Sequence, residues 1–156
     1  MTSKTTQNAS KRNMKATASI PLFARLTLTL VEPLMSLNGV LICIRNPQRL
    51  IGDYLTRGAV SYTPETQTLY TQLAGFWLFF AFVEVFVLRS FDDQRLWKRL
   101  CIGMLISDAV YFWAVAQAVG GWDEFLNVGV WSADEWTVTL GALWPVSVRL
   151  FIVFGL

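Results

Sequence analysis

Four apolar runs separated by polar segments organise the chain, at roughly residues 26–44, 69–88, 100–119 and 137–156. Each is close to the roughly 20 residues that a helix rising 1.5 Å per residue needs to cross about 30 Å of hydrocarbon. None alternates with the two-residue period of a strand, and no longer internal repeat is evident. In lipid only helices and closed barrels satisfy every backbone polar group, so the pattern predicts an all-α integral membrane four-helix bundle. Ahead of the first run, residues 1–19 are polar, rich in Ser, Thr, Asn and Lys, without the apolar core of a signal peptide. They read as a disordered cytosolic tail, and residues 20–156 as one transmembrane domain. The sequon Asn8-Ala9-Ser10 on such a tail is expected to be silent. The first connection, residues 45–68, has room for a surface segment, with Asn46-Pro47 opening a turn and Thr63-Pro64 suited to cap and start the second helix.

Composition agrees with this reading. Of 156 residues, 54% are hydrophobic and only 15% charged, with a mean hydropathy of +0.44, whereas an ordinary soluble domain carries about 25% charged residues. A soluble domain this small has too little interior for so much apolar material. Histidine is absent, which removes Ser-His-Asp and Cys-His catalysis and histidine-ligated metal sites. Cys43 and Cys101 lie in separate apolar runs and signal neither a disulfide framework nor a metal cluster. The net charge of +2 gives no reason to expect nucleic acid.

The placement of Lys and Arg orients the helices. The amino-terminal flank holds Lys4, Lys11, Arg12, Lys15 and Arg25, and the second connection holds Arg89, Arg95, Lys98 and Arg99. The first connection holds Arg45, Arg49 and Arg57, while the third has only acids, Asp123, Glu124, Asp134 and Glu135. Both termini on the cytosolic side put nine basic residues inside and three outside. Trp97 and Trp136 then fall at helix ends, where amphipathic rings favour the interface, and Trp122 and Trp131 lie in the acidic outer loop.

Four ionisable residues fall inside the expected spans, one per helix: Glu32, Glu84, Asp108 and Arg149. A charge near the bilayer centre costs about 2.5–3.5 kcal/mol on insertion scales, so such groups face the bundle interior and each other. Counted from the flanking arginines and from Leu156, they lie about 7–13 Å from the cytosolic edge, in a single slab. Three carboxylates cannot be neutralised by one guanidinium. If Arg149 holds one of them ionised, the other two share a low-dielectric site and at least one is expected to be protonated near neutral pH. A protonated carboxyl beside an ionised one supplies a general acid and a general base together.

The neighbouring residues suit an apolar molecule. Pro33, directly after Glu32, removes a backbone donor and exposes a carbonyl in the preceding turn, and Pro145 does the same one turn before Arg149. Trp77 and Phe80 share the face of Glu84, and Tyr111 and Phe112 share that of Asp108. Asn38 joins them as a candidate polar contact to a substrate, with helix-to-helix bonding as the other role open to it and to Gln117. Other readings of the charges also stay open. Glu84 and Arg89 could form an interfacial pair, and Asp108 and Arg149 an interhelical clasp without chemistry.

The segments Val31-Glu32-Pro33-Leu34 with Gly39, Asn46-Pro47, Leu88-Arg89-Ser90 followed by Asp93 and Leu96-Trp97-Lys98, Leu105-Ile106-Ser107-Asp108, and a late Arg149 together resemble a group of small fungal four-helix membrane proteins. The resemblance covers about residues 26–156. Similar small membrane proteins of fungal polyketide pathways act as epoxide hydrolases that open and cyclise polyene-derived epoxides. Larger membrane terpene cyclases and the emopamil-binding sterol isomerases also use intramembrane acids. The resemblance implies an epoxide hydrolase or cyclase of the endoplasmic reticulum, with Glu32, Glu84 and Asp108 at the acidic positions. This chain departs from that pattern in lacking histidine, with Tyr111 following Asp108 on its helix face. The expected partners are a lipophilic small-molecule substrate and the bilayer, with a homodimer as one allowed assembly. No metal or organic cofactor is signalled. A terpene cyclase or double-bond isomerase using the same carboxyls, and a non-catalytic lipid-binding subunit, are the alternative functions.

Overall fold

The computed structural model describes residues 14–54 and 61–155. The helices in chain order are α1 (Ala16–Ser19), α2 (Leu22–Arg45), α3 (Pro47–Tyr54), α4 (Pro64–Ser90), α5 (Gln94–Val119), α6 (Trp122–Leu126) and α7 (Ala133–Phe154). Four of them, α2, α4, α5 and α7, are long and apolar enough to cross a membrane, with mean hydropathies of 1.6, 1.8, 1.5 and 1.7. The chain is an all-α, multi-pass integral membrane bundle. α2 packs along α4 and α5 along α7.

The spanning helices extend beyond the apolar runs because polar start signals lengthen them into the flanks. The Thr63 N–H donates to Thr66 Oγ1 at 3.4 Å at the turn that opens α4. At α7 the Ser132 hydroxyl accepts the Glu135 N–H at 3.1 Å, and the Glu135 carboxylate accepts the Ser132 N–H at 2.7 Å, a reciprocal capping box. The Asp93 carboxylate caps α5 by accepting the Arg95 N–H at 2.8 Å. α5 stops at Gly120 and Gly121, whose φ values of 106° and 126° lie where a side chain would be strained.

The expected polar tail ends earlier than residue 19. Ala16–Ser19 is a helical turn, and Ala16 and Ile20 are buried against the bundle. The Asp92 carboxylate accepts the Thr17 N–H at 2.7 Å and its hydroxyl at 2.8 Å, and the Gln94 N–H donates to the Met14 carbonyl at 3.0 Å. One turn of Ala-Thr-Ala-Ser has no apolar period, so only these contacts, distant in sequence, reveal it. Residues 1–13, with the sequon, Lys4, Lys11 and Arg12, lie outside the described residues, as do Arg57 and Leu156.

The main apolar core joins Ile20, Ala24 and Leu28 to Leu88, Trp97, Cys101, Val148 and Ile152. It therefore ties the amino-terminal segment to the carboxyl-terminal end of α7, at one end of the bundle. Trp97, expected at the interface, belongs to this core, and its indole N–H donates to the Phe91 carbonyl at 3.1 Å. The outward faces carry exposed rings such as Phe76, Phe79, Phe82 and Phe86 on α4, as a helix solvated by lipid tails requires. A second cluster holds Val40, Cys43 and Ala74 under Trp77, whose ring lies directly on Gly39. A third, with Phe125 of α6 and the partly buried Trp131, closes the opposite end, where the Trp131 indole N–H donates to the Phe125 carbonyl at 2.9 Å.

Two outcomes follow from this packing. A Cβ at residue 39 would collide with the Trp77 indole, so Gly39→Ala should destabilise the bundle by about 1–3 kcal/mol, read as a lower unfolding midpoint in detergent; an unchanged midpoint would contradict the close approach. Thr17 holds the exposed Asp92 carboxyl below its ordinary value near 3.8. Because the folded-state value is depressed, the docking of α1 should be complete at neutral pH and weaken only in acid below the usual carboxylate range. Asp92→Ala should expose the α1 segment to protease at neutral pH, and equal protection in both proteins would count against this anchor.

Candidate functional site

Arg149 lies on α7 one turn after Pro145 and is 1% exposed. Its Nη1 donates to Asp108 Oδ2 of α5 at 2.6 Å. Its Nη2 donates both to Glu32 Oε1 of α2 and to Glu84 Oε1 of α4, the latter at 3.3 Å. One guanidinium thus binds a carboxyl from each of the other three spanning helices. Glu84 is fully buried, Glu32 nearly so, and the Asp108 side chain retains 19% exposure, which makes it the open edge of the cluster.

Local backbone irregularity puts the two glutamates there. α2 contains a π-helical stretch, Thr27–Val31, directly before Glu32, and α4 contains another, Val83–Val87, that includes Glu84. The two stretches lie against each other. A π-turn takes up one more residue than an α-turn and so changes which side chains face inward. In α2 its cause is visible: Pro33 has no N–H to give the Thr29 carbonyl. That carbonyl instead accepts Arg89 Nη2 at 2.5 Å, while the Thr29 hydroxyl donates to the Arg25 carbonyl at 2.8 Å. No such cause marks the stretch in α4.

Glu32 and Glu84 meet at one donor, each through its Oε1 on Arg149 Nη2. Glu32 Oε2, Glu84 Oε2 and Arg149 Nε are buried and have no hydrogen-bond partner. Unpaired buried polar atoms are costly, and in a charged cluster they mark where a proton, a water or a bound oxygen would be accommodated.

The four charged residues anticipated from their depths are therefore brought together. The pairing of Glu84 with Arg89 is corrected: Glu84 turns to Arg149, and Arg89 serves the carbonyl that Pro33 leaves free. Among the aromatic candidates, Phe80 reaches the site, its ring centroid 5.9 Å from the Arg149 guanidinium carbon. Trp77 packs instead on Gly39 in the second cluster. Phe112 packs toward Ala116 and Phe125, with Tyr111 edge-on to it at 5.4 Å. Asn38 lies on the exposed face of α2. Pro33 made the freed carbonyl legible in the sequence, but nothing in the spacing relates residue 89 to residue 29 and so marks Arg89 as its partner.

The model of a domain of unknown function, DUF7704, matches residues 17–156, and the chain belongs to that family. The match begins within α1, so the docked turn is part of the domain. No curated protein and no solved structure matches the chain.

Removing Arg149 would leave three carboxyls facing one another without a cation. Arg149→Met should therefore cost about 3–5 kcal/mol, the range for breaking a buried ion pair from one side. Arg99→Gln, at an exposed position, should change stability by less than about 0.5 kcal/mol. Unfolding in detergent measures both, and equal midpoints for the two variants would mean that the cluster does not hold the helices.

Proposed function

We propose that this DUF7704 protein is a membrane-embedded, cofactor-independent epoxide hydrolase or cyclase, acting on a lipophilic polyketide-type epoxide in the endoplasmic reticulum with both termini cytosolic. One observation carries the reading: three carboxyls meet on one buried guanidinium, with an unpartnered oxygen on each glutamate. Fully ionised, three carboxylates and one guanidinium would sum to two negative charges in a low-dielectric interior, and a retained proton halves that excess. Asp108 has Nη1 to itself at 2.6 Å and is the carboxylate best held ionised. Glu32 and Glu84 share Nη2, so their pair is the natural seat of the proton.

Epoxide opening uses those two states together. The glutamate pair gives its proton to the epoxide oxygen as one carbon–oxygen bond breaks. Asp108 takes a proton from water, or from a hydroxyl of the substrate, as that oxygen bonds to the carbon released. Water gives a diol, and an internal hydroxyl gives a cyclic ether with no water consumed. Return of the proton from Asp108 to the glutamates resets the site. The leaving oxygen stays attached to the carbon chain and needs only a proton, so no metal or organic cofactor enters the scheme. The partly open Asp108 edge and Phe80 support an apolar substrate approaching from the bilayer.

Microsomes containing the protein, supplied with an epoxidised polyene, should form diol or cyclic ether. Glu32→Gln and Asp108→Asn should each lower the rate by about 10²–10⁴-fold, as for loss of a general acid or base. Full activity in both variants would overturn the roles assigned here. Turnover of a prenylated epoxide or a sterol, but not the polyene, would move the same carboxyls to terpene cyclisation or isomerisation.

A further inference from the structure

A cavity of about 180 Å³ opens at the end of the bundle where α1 docks, lined by Arg25, Arg89, Asp92, Thr17, Leu88 and Trp97 among others. It is distinct from the carboxyl cluster, since Glu32, Glu84, Asp108 and Arg149 are not among its lining residues. A volume of 180 Å³ exceeds several times the roughly 30 Å³ share of one water. Two arginines, Arg25 and Arg89, line it against one acid, Asp92. Arg25 Nε is buried and has no hydrogen-bond partner. Arg89 uses one terminal nitrogen on the Thr29 carbonyl. The single acid, Asp92, has one oxygen on the Thr17 N–H and the other on its hydroxyl, at the α1 side of the cavity, and Arg25 and Lys15 also act on it electrostatically.

The surroundings reinforce the sign. This end of the bundle also carries Lys15, Arg95, Lys98 and Arg99, against Asp92 and Asp93, among the described residues. Arginines at the membrane edge, one of them with a buried and unmatched N–H, have the chemistry of a phosphate site. Anionic headgroups are concentrated at this depth, and nearby Lys and Arg side chains are attracted to an anionic surface.

We propose that this cavity binds a phosphate group, supplied in the bilayer by the headgroup of an anionic lipid, with Arg25 and Arg89 as its donors and α1 as the wall that completes it. The site does not depend on the acid–base chemistry proposed for the carboxyl cluster.

The test is thermal unfolding of the detergent-purified protein with dioctanoyl phosphatidic acid, dioctanoyl phosphatidylcholine or inorganic phosphate. Phosphatidic acid should raise the midpoint saturably and phosphatidylcholine should not. Arg25→Gln should weaken the apparent affinity by about tenfold or more, the loss expected for one charge-assisted hydrogen bond. Arg25→Lys should recover part of it, and Arg99→Gln should leave it within about twofold. Stabilisation by inorganic phosphate equal to that by phosphatidic acid would uphold a phosphate site and assign it to a soluble ligand. Native mass spectrometry of the wild-type protein from vesicles of equal parts phosphatidylcholine and phosphatidic acid needs no variant, and should retain one phosphatidic acid per chain. Indifference of the midpoint to phosphatidic acid, an equal response in Arg25→Gln, or retention of both lipids alike would overturn the proposal.

Discussion

A guanidinium cannot be left bare in hydrocarbon, and the position of Arg149 governs the rest of the structure. The group is always protonated, so it must be matched where it stands, and it is matched by one carboxyl from each of three other helices. Four spanning helices with lipid on their outer faces have no hydrophobic force pulling them together, because lipid tails are as apolar as leucine. A shared charge at the axis supplies the register that such packing lacks. It also overshoots: three acids hold more negative charge than one base neutralises, and in the proposed chemistry that excess is where a mobile proton enters.

The backbone of α2 has been adapted to the same end. Pro33 follows Glu32 and breaks the regular ladder, the stretch before it relaxes into a π-turn, and the carbonyl left over is taken by Arg89 from α4. The proline, the π-turns and Arg89 therefore form one device that sets two glutamates side by side. Toward the nearer end of the bundle, the same pair of helices continues into the arginine-lined cavity beneath α1. Strained or irregular backbone of this kind persists only where its surroundings determine it, and here both π-turns border the buried charges.

Much of this was legible in the residues. Four apolar runs of membrane-spanning length fixed the fold class, because hydrocarbon leaves so few backbone solutions. One charge per run at similar depth identified the cluster, because buried charge must be compensated whatever the details of packing. Phe80 followed from helical spacing. Trp77 and Phe112 share the helical faces of Glu84 and Asp108, yet both pack elsewhere, since a shared face does not imply shared depth and Trp77 lies two turns away beside Gly39. The π-turn in α4 has no marker such as proline. α1 is not legible in the sequence because its order comes from Asp92 and Gln94, more than seventy residues away.

The proposed chemistry requires the three carboxyls around Arg149 to retain a proton inside the bilayer. Infrared spectroscopy of the protein in lipid at neutral pH observes this directly through the carbonyl stretch of a protonated carboxyl. Such a band is expected, shifted by deuterium exchange, lost in Glu84→Gln and unaffected by Asp92→Asn. Absence of the band in the wild-type protein, with only ionised carboxylate absorption, would contradict it.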